Sequence, residues 1–168
     1  MDANLIIGNL CTLGAMGANA VSSTRKTTKG VLWMQNLSQV IYCASAVVLK
    51  GYSAAVQNCV SILRNFAAIY GIQSKLLQYL LALLGLVLGI LFNNRGVIGL
   101  LPVLGNLQYT LAIFKFADRE RPLKISFLIS VASFVVFNVF ILNFVGAACD
   151  LTVIITTAIV LIKGRKNS

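Results

Sequence analysis

LKGYSAAVQNCVSILRNFAAIYG, residues Leu49 to Gly71, decides how the rest of the chain is read. It is long enough to cross a bilayer, which takes about 20 mostly apolar residues. Its apolar run is continuous rather than alternating, so a helix is expected and a barrel strand is not. Near its middle it holds an arginine, Arg64. Six more stretches of similar length surround it. Spans are expected near Leu5 to Val21, Val31 to Leu49, Tyr52 to Gly71, Leu76 to Phe92, Val97 to Phe116, Leu123 to Leu142 and Val145 to Lys163.

The composition agrees. Of 168 residues, 58% are hydrophobic and 11% charged, and mean hydropathy is +0.88. Soluble domains sit near half apolar and about a quarter charged. The spans consume almost the whole chain, so one integral domain is expected, with the bilayer as its main partner. The formal charge of +10 sits in short loops with no basic face or aromatic platform, so no nucleic-acid binding is expected. Met-Asp-Ala-Asn at the start lacks a basic region, so a retained first span is expected rather than a cleaved signal. Cys11, Cys43, Cys59 and Cys149 form no CxxC pair and read as small buried hydrophobes.

Loop charges give an orientation. Arg25, Lys26 and Lys29 follow span 1, and Lys75 follows span 3. Lys115, Arg119, Arg121 and Lys124, against Asp118 and Glu120, follow span 5, and Lys163, Arg165 and Lys166 close the chain. With seven spans all of these fall on one side, and the other side receives Lys50 and Arg95. Basic loops stay in the cytoplasm, so the N-terminus is expected outside and the C-terminus inside.

The opening stretch also has an echo. LNFVGAACDLTVIITTAIVLIKG, from Leu142, matches it at an offset of 93, with Leu49, Ala54, Ala55, Val60, Ile62, Ile69 and Gly71 meeting identical residues. The offset also carries the first basic loop onto the one after span 5. Two parallel three-helix repeats, about 5–71 and 97–164, joined by a linker helix at about 76–92, are therefore expected, as in several transporter folds.

Polar residues inside the spans are the candidates for function. A central arginine costs about 2.5–3.5 kcal/mol on insertion scales. Arg64 either ties helices together or reaches the headgroups, or it binds an anionic or polar part of a solute. Asp150, the one acid within a span, either anchors the start of span 7 or binds a cation or proton. Gln35, Gln39 and Tyr42 share a face of span 2, with Asn36 beside it, and Gln57, Ser61 and Arg64 share a face of span 3. Asn58 and Asn65 flank that face. Asn106, Gln108, Ser126, Ser130, Ser133 and Asn138 continue the polar series. Amides in hydrocarbon are costly unless paired. They serve either as interhelical glue, at roughly 0.6–2 kcal/mol per contact, or as the lining of a polar cavity. Gly8, Gly14, Ala15, Gly17 and Ala18 would let span 1 approach its neighbours closely. Gly85 and Gly89 form a GxxxG that hints at a homodimer. Pro102 removes a backbone bond within span 5 and can create a kink or hinge there, as it does in carriers and in static bundles alike.

The stretches from Gln35 to Gly71 and from Leu100 to Asp150 resemble the bacterial inner-membrane YgjV-like family. The resemblance rests on Leu63-Arg64-Asn65, on Leu101-Pro102 and on the basic loop ending at Arg121. Where relatives show a Trp-x-x-Tyr-Asn pattern, this chain reads Phe134 to Asn138 without Trp or Tyr. The family implies no biochemical role. A more distant likeness, at the level of fold, is to the SWEET and PnuC-type carriers. The Pro-Gln pair at helix starts is missing here, so no sugar-binding residue transfers.

These readings converge on an all-α membrane protein with seven transmembrane helices. It is expected to act as a carrier or facilitator for a small polar solute, lined by Asn9, Gln39, Gln57, Asn58, Arg64, Asn106, Asn138 and Asp150. The alternative is a non-transporting accessory, sensor or assembly protein. Without histidine, and with one embedded acid, the chain offers no acid–base pair, metal cluster or activated nucleophile. No enzymatic activity and no cofactor are expected.

Overall fold

A computed structural model of the chain describes residues 2–23, 25, 27–72, 74–116 and 119–166. The helices are α1 (Ala3–Ser23), α2 (Thr28–Val48), α3 (Tyr52–Ile69), α4 (Lys75–Leu91), α5 (Gly96–Gly99), α6 (Leu101–Lys115), α7 (Glu120–Phe140) and α8 (Phe144–Lys166). Each expected span is helical, with ends within a few residues of the expectation. The fifth is divided at Leu100 into α5 and α6. Pro102 lies in the first turn of α6 and has no amide hydrogen to give back to α5. The proline therefore marks the entry to α6 rather than a kink in its middle.

By length and composition, Ala3–Val21 and Arg121–Phe140 are long and apolar enough to cross a membrane, and Lys75–Leu91, Gly96–Ala112 and Phe144–Ile159 are shorter apolar helices. α2 and α3 fall below that hydropathy because they carry Gln35, Asn36, Gln39, Gln57, Asn58, Arg64 and Asn65.

Polarity is distributed inside out. Leu10, Leu76, Leu91, Val97 and Ile162 are 61–80% exposed, while Thr12, Ser38, Ser45, Ser53 and Gln57 are at most 2% exposed. Water would penalise such an apolar surface, but lipid does not.

Packing follows a closed circuit. α1 packs on α2 and α2 on α3; α6 packs on α7 and α7 on α8; α3 meets α6, and α8 returns to α1. α4 rests against both α3 and α6. At one end of the circuit Ala46, Leu49, Ala54, Ala55, Phe137 and Ile141 form an apolar cluster. The Phe137 ring lies against Gly51, where an added Cβ would come 3.0 Å from its Cζ atom.

That end holds two turns of the same construction. After α2, Lys50 takes φ +57°, and after α7, Leu142 takes φ +60°. The Gly51 amide donates to Ala46 O at 2.7 Å, and the Asn143 amide to Asn138 O at 2.8 Å. Both bounds of α2, 28 and 48, reappear in α7 as 120 and 140, an offset of 92. The helix bounds thus differ by 92, where the residue identities differ by 93.

Each turn is tied to a different part of the chain. Asn94 Nδ2 and Arg95 Nε donate to Lys50 O at 2.8 and 3.1 Å, and Arg95 Nη2 donates to Leu49 O at 2.9 Å. Asn9 Nδ2 donates to Leu142 O at 3.0 Å.

The small residues divide by use. A Cβ on Gly8 would meet Leu49 Cγ at 2.5 Å, and Gly8 O accepts from both Thr12 Oγ1 and Ser45 Oγ. α1 and α2 therefore touch closely at Gly8. Gly14 and Gly17 have no such neighbour within 4 Å, so the close approach expected of them is absent. Gly85 and Gly89 face inward. Their added Cβ atoms would meet Gln57 Oε1 at 3.3 Å and Val103 Cγ2 at 2.6 Å. The GxxxG serves packing within the chain. Of the cysteines, Cys149 is buried as expected, but Cys59 is exposed, with its sulfur 3.6 Å from that of half-buried Cys43.

Candidate functional site

The polar side chains of the interior form three groups. The first is a joint where α3, α4 and α6 meet. Gln57 Nε2 donates to Gly85 O at 2.8 Å, and Asn106 Nδ2 donates to Gln57 Oε1 at 2.7 Å. Gln57 is 2% and Asn106 8% exposed. α4 can come this close because Gly85 and Gly89 lack side chains at the contact. Each amide meets its main demand inside the protein, so this group behaves as glue.

The second group joins α7 and α8 and reaches across to the first helices. Asn138 Nδ2 donates to Asp150 Oδ2 at 2.9 Å, and Asn143 Nδ2 donates to Asn138 Oδ1 at 3.2 Å. Asn143 Oδ1 accepts the Gly146 amide at 3.0 Å, which caps the start of α8. Asn9 Oδ1 accepts the Val145 amide at 3.0 Å. Tyr42, on α2, lies near Asp150 and hydrogen-bonds with Asn19 of α1. Asp150 thus sits among groups from α2, α7 and α8.

The third group lies deeper, toward the end bearing Arg25 and Lys75. The Trp33 and Phe66 rings meet edge to face at 5.4 Å, and Cys43 Sγ lies 3.6 Å from Ala55 O. This antiparallel register puts Asn36 of α2 at about the depth of Arg64 of α3. Asn36 is 4% exposed, yet neither its Nδ2 nor its Oδ1 has a hydrogen-bond partner among the described residues. Gln39 Oε1, one turn along the same face, is buried and unpartnered as well. Arg64 is half-buried beside Tyr109 and makes no hydrogen bond or ion pair with another described residue. Asn65, next to it, is 8% exposed.

The eight expected site residues are thus split. Gln57 and Asn106 bind each other, Asn138 and Asp150 bind each other, and Asn9 fastens the α7–α8 turn. Gln39 and Arg64 retain unmet hydrogen-bonding capacity, and half-buried Asn58 makes no side-chain bond to another described residue. Arg64 and Asp150 do not pair. Gln108 and Ser126 close on each other at 2.8 Å.

Sequence reasoning placed Asn36 beside the polar face, although its i, i+3 spacing from Gln39 puts both on one side of a helix. Asn143 and Asn19 escaped notice because lone amides near span ends carry no periodic signal. Among the described residues no group of three or more His, Cys, Asp or Glu side chains could hold a metal ion.

A family model described as Bacterial inner membrane protein, Imp-YgjV, matches residues 6–168. The chain therefore belongs to this family and is a bacterial inner-membrane protein. No curated protein matches the chain, and no solved structure does.

Proposed function

We propose that this inner-membrane protein is a carrier or facilitator for a small polar solute. The observation that carries the reading is the unpartnered set on α2 and α3: Asn36, Gln39 and Arg64. A buried amide without a partner costs about 1–3 kcal/mol. Packing glue has no use for that cost, whereas a binding site does, because water or solute meets the unmet groups. On this reading Arg64 binds an anionic or polar group, and Asn36 and Gln39 orient the solute. Asp150, held by Asn138, carries a coupling cation or proton. The protein itself performs no chemistry on the solute and needs no cofactor.

The wider architecture supports the reading. The helix bounds recur at an offset of 92, the two turns share their construction, and the contacts α3–α6 and α8–α1 exchange when the halves are swapped. These features favour two parallel three-helix repeats with α4 as linker, an arrangement used by rocking carriers. With the N-terminus outside, the apolar cluster around Phe137 closes the outer end, and the solute enters from the cytoplasmic side.

A second reading, a non-transporting accessory or sensor, is favoured by the closed Gln57–Asn106 joint between the halves. Purified protein screened against a metabolite panel separates the two. A carrier gives a solute-induced thermal shift, and uptake of that solute into vesicles falls at least tenfold in Arg64→Ala and Asn36→Ala. Intact uptake in both folded variants ends the carrier reading. A stoichiometric partner with no solute shift favours the accessory.

A further inference from the structure

Away from the polar interior, α6 and α7 enclose a groove of about 450 Å³ near the basic end of the bundle. Leu111, Phe116, Pro122, Ile125 and Ile129 line it, and Lys115 stands at its mouth. Leu111, Ile125 and Ile129 are 44–54% exposed, so the groove opens on the surface that faces the bilayer. Gln108 and Ser126, also on its wall, satisfy each other through two hydrogen bonds, Nε2 to backbone O at 2.7 Å and Oγ to Oε1 at 2.8 Å. The wall therefore presents apolar surface rather than an unmet polar demand.

The rim differs. The Lys115 ammonium lies 5.6 Å from the Phe116 ring centroid and makes no hydrogen bond or ion pair with another described residue. Arg119 and Arg121 are exposed close by in sequence. From Lys115 to Lys124 the chain carries four basic and two acidic residues. An apolar slot inside the bilayer with a cationic mouth at its edge matches a molecule with an acyl chain and a phosphate head. A zwitterionic head would leave the excess positive charge unanswered, and a free phosphate would leave the apolar slot unfilled.

We propose that this groove binds an anionic diacyl phospholipid. One acyl chain lies along Leu111, Ile125 and Ile129, and the phosphate sits at Lys115 with the arginines behind it. Juxtamembrane basic residues each strengthen binding to anionic lipid roughly fivefold.

The test uses the full chain in bilayers of equal phosphatidylglycerol and phosphatidylethanolamine with identical acyl chains, followed by native mass spectrometry of the retained lipid. Phosphatidylglycerol should be retained at least fivefold over phosphatidylethanolamine. Lys115→Glu should abolish that preference. Ile129→Trp, which fills the groove at unchanged charge, should reduce retention of both lipids. Millimolar inorganic phosphate should displace neither. If Lys115→Glu fails to fold, as judged by its unfolding midpoint, Lys115→Gln replaces it and should lower the preference several-fold. Equal retention of the two lipids, unchanged retention in a folded groove-filled variant, or displacement by inorganic phosphate alone overturns the proposal.

Discussion

The protein contains the same two residue types, one asparagine and one glutamine, in two settings that treat them in opposite ways. Gln57 donates to the Gly85 carbonyl and accepts from Asn106. Asn36 and Gln39 hold buried atoms that no described residue satisfies. Residue type is alike, and Asn36 is as buried as Gln57 and Asn106, so neither distinguishes glue from site. What differs is geometry. Gln57 faces a helix whose glycines bring a backbone carbonyl within reach, and Asn106 comes to it from α6. Asn36 and Gln39 share a face of one helix, where a neighbour one turn away leaves their demands open.

Wedging the closed joint should give the largest effect. A Cβ on Gly89 already falls 2.6 Å from Val103 and 2.7 Å from Gln57 Nε2, so Gly89→Leu forces α4 away from both partners. Overpacking costs about 1–3 kcal/mol, and the broken amide bonds add to it, so unfolding in detergent should show a loss at or above the top of that range. Removing the amide without a wedge comes next. Gln57→Leu strands the Asn106 amide, while the Gly85 carbonyl keeps its bond within α4, and should cost about 1–3 kcal/mol in the same assay. A loss below a few tenths would mean that the joint is not held by these bonds.

The open pair should respond with the other sign. Asn36→Leu removes an amide with no partner to strand, so stability should hold or rise by up to about 1 kcal/mol, while solute uptake falls. Destabilisation there would reveal a partner and merge the two settings into one. The smallest effect belongs away from both pairs. Gly14 has nothing within 4 Å of an added Cβ, so Gly14→Ala should gain about 0.5–1 kcal/mol from helix propensity alone, with uptake unchanged.

The helices were legible because hydropathy is a local property, although only Ala3–Val21 and Arg121–Phe140 are long and apolar enough by themselves to cross a membrane. Continuous apolar runs of adequate length appear in the sequence as they do in the helices. The exception is telling. α2 and α3, the least apolar of the spans, hold the unpartnered groups, and that tension was visible in Arg64, Gln39 and Asn58. The spacing of the helix bounds was harder to see. Identities between apolar helices arise by chance, and they favoured an offset one residue from the one set by the turns at Lys50 and Leu142. Backbone conformation at a turn leaves no trace in hydropathy.

Gly8 and Gly14 show the same limit. Both read as small residues for close packing, yet one touches Leu49 and the other touches nothing. The GxxxG of α4 likewise read as a surface for a second copy, and it is used to admit Gln57. Small size permits contact, but the position of the neighbouring helix decides whether contact occurs.

Hydropathy and helix length are sums over neighbouring residues, and the sequence by itself therefore determined an apolar helical bundle with polar residues placed along some of its helices. Whether a given amide is satisfied depends on atoms tens of residues away, as Gln57 depends on Gly85 and Asn106. Tertiary structure alone decided which polar side chains hold the bundle together and which are left facing an unmet demand, because a hydrogen bond exists at a distance and an angle that no single stretch of chain can specify.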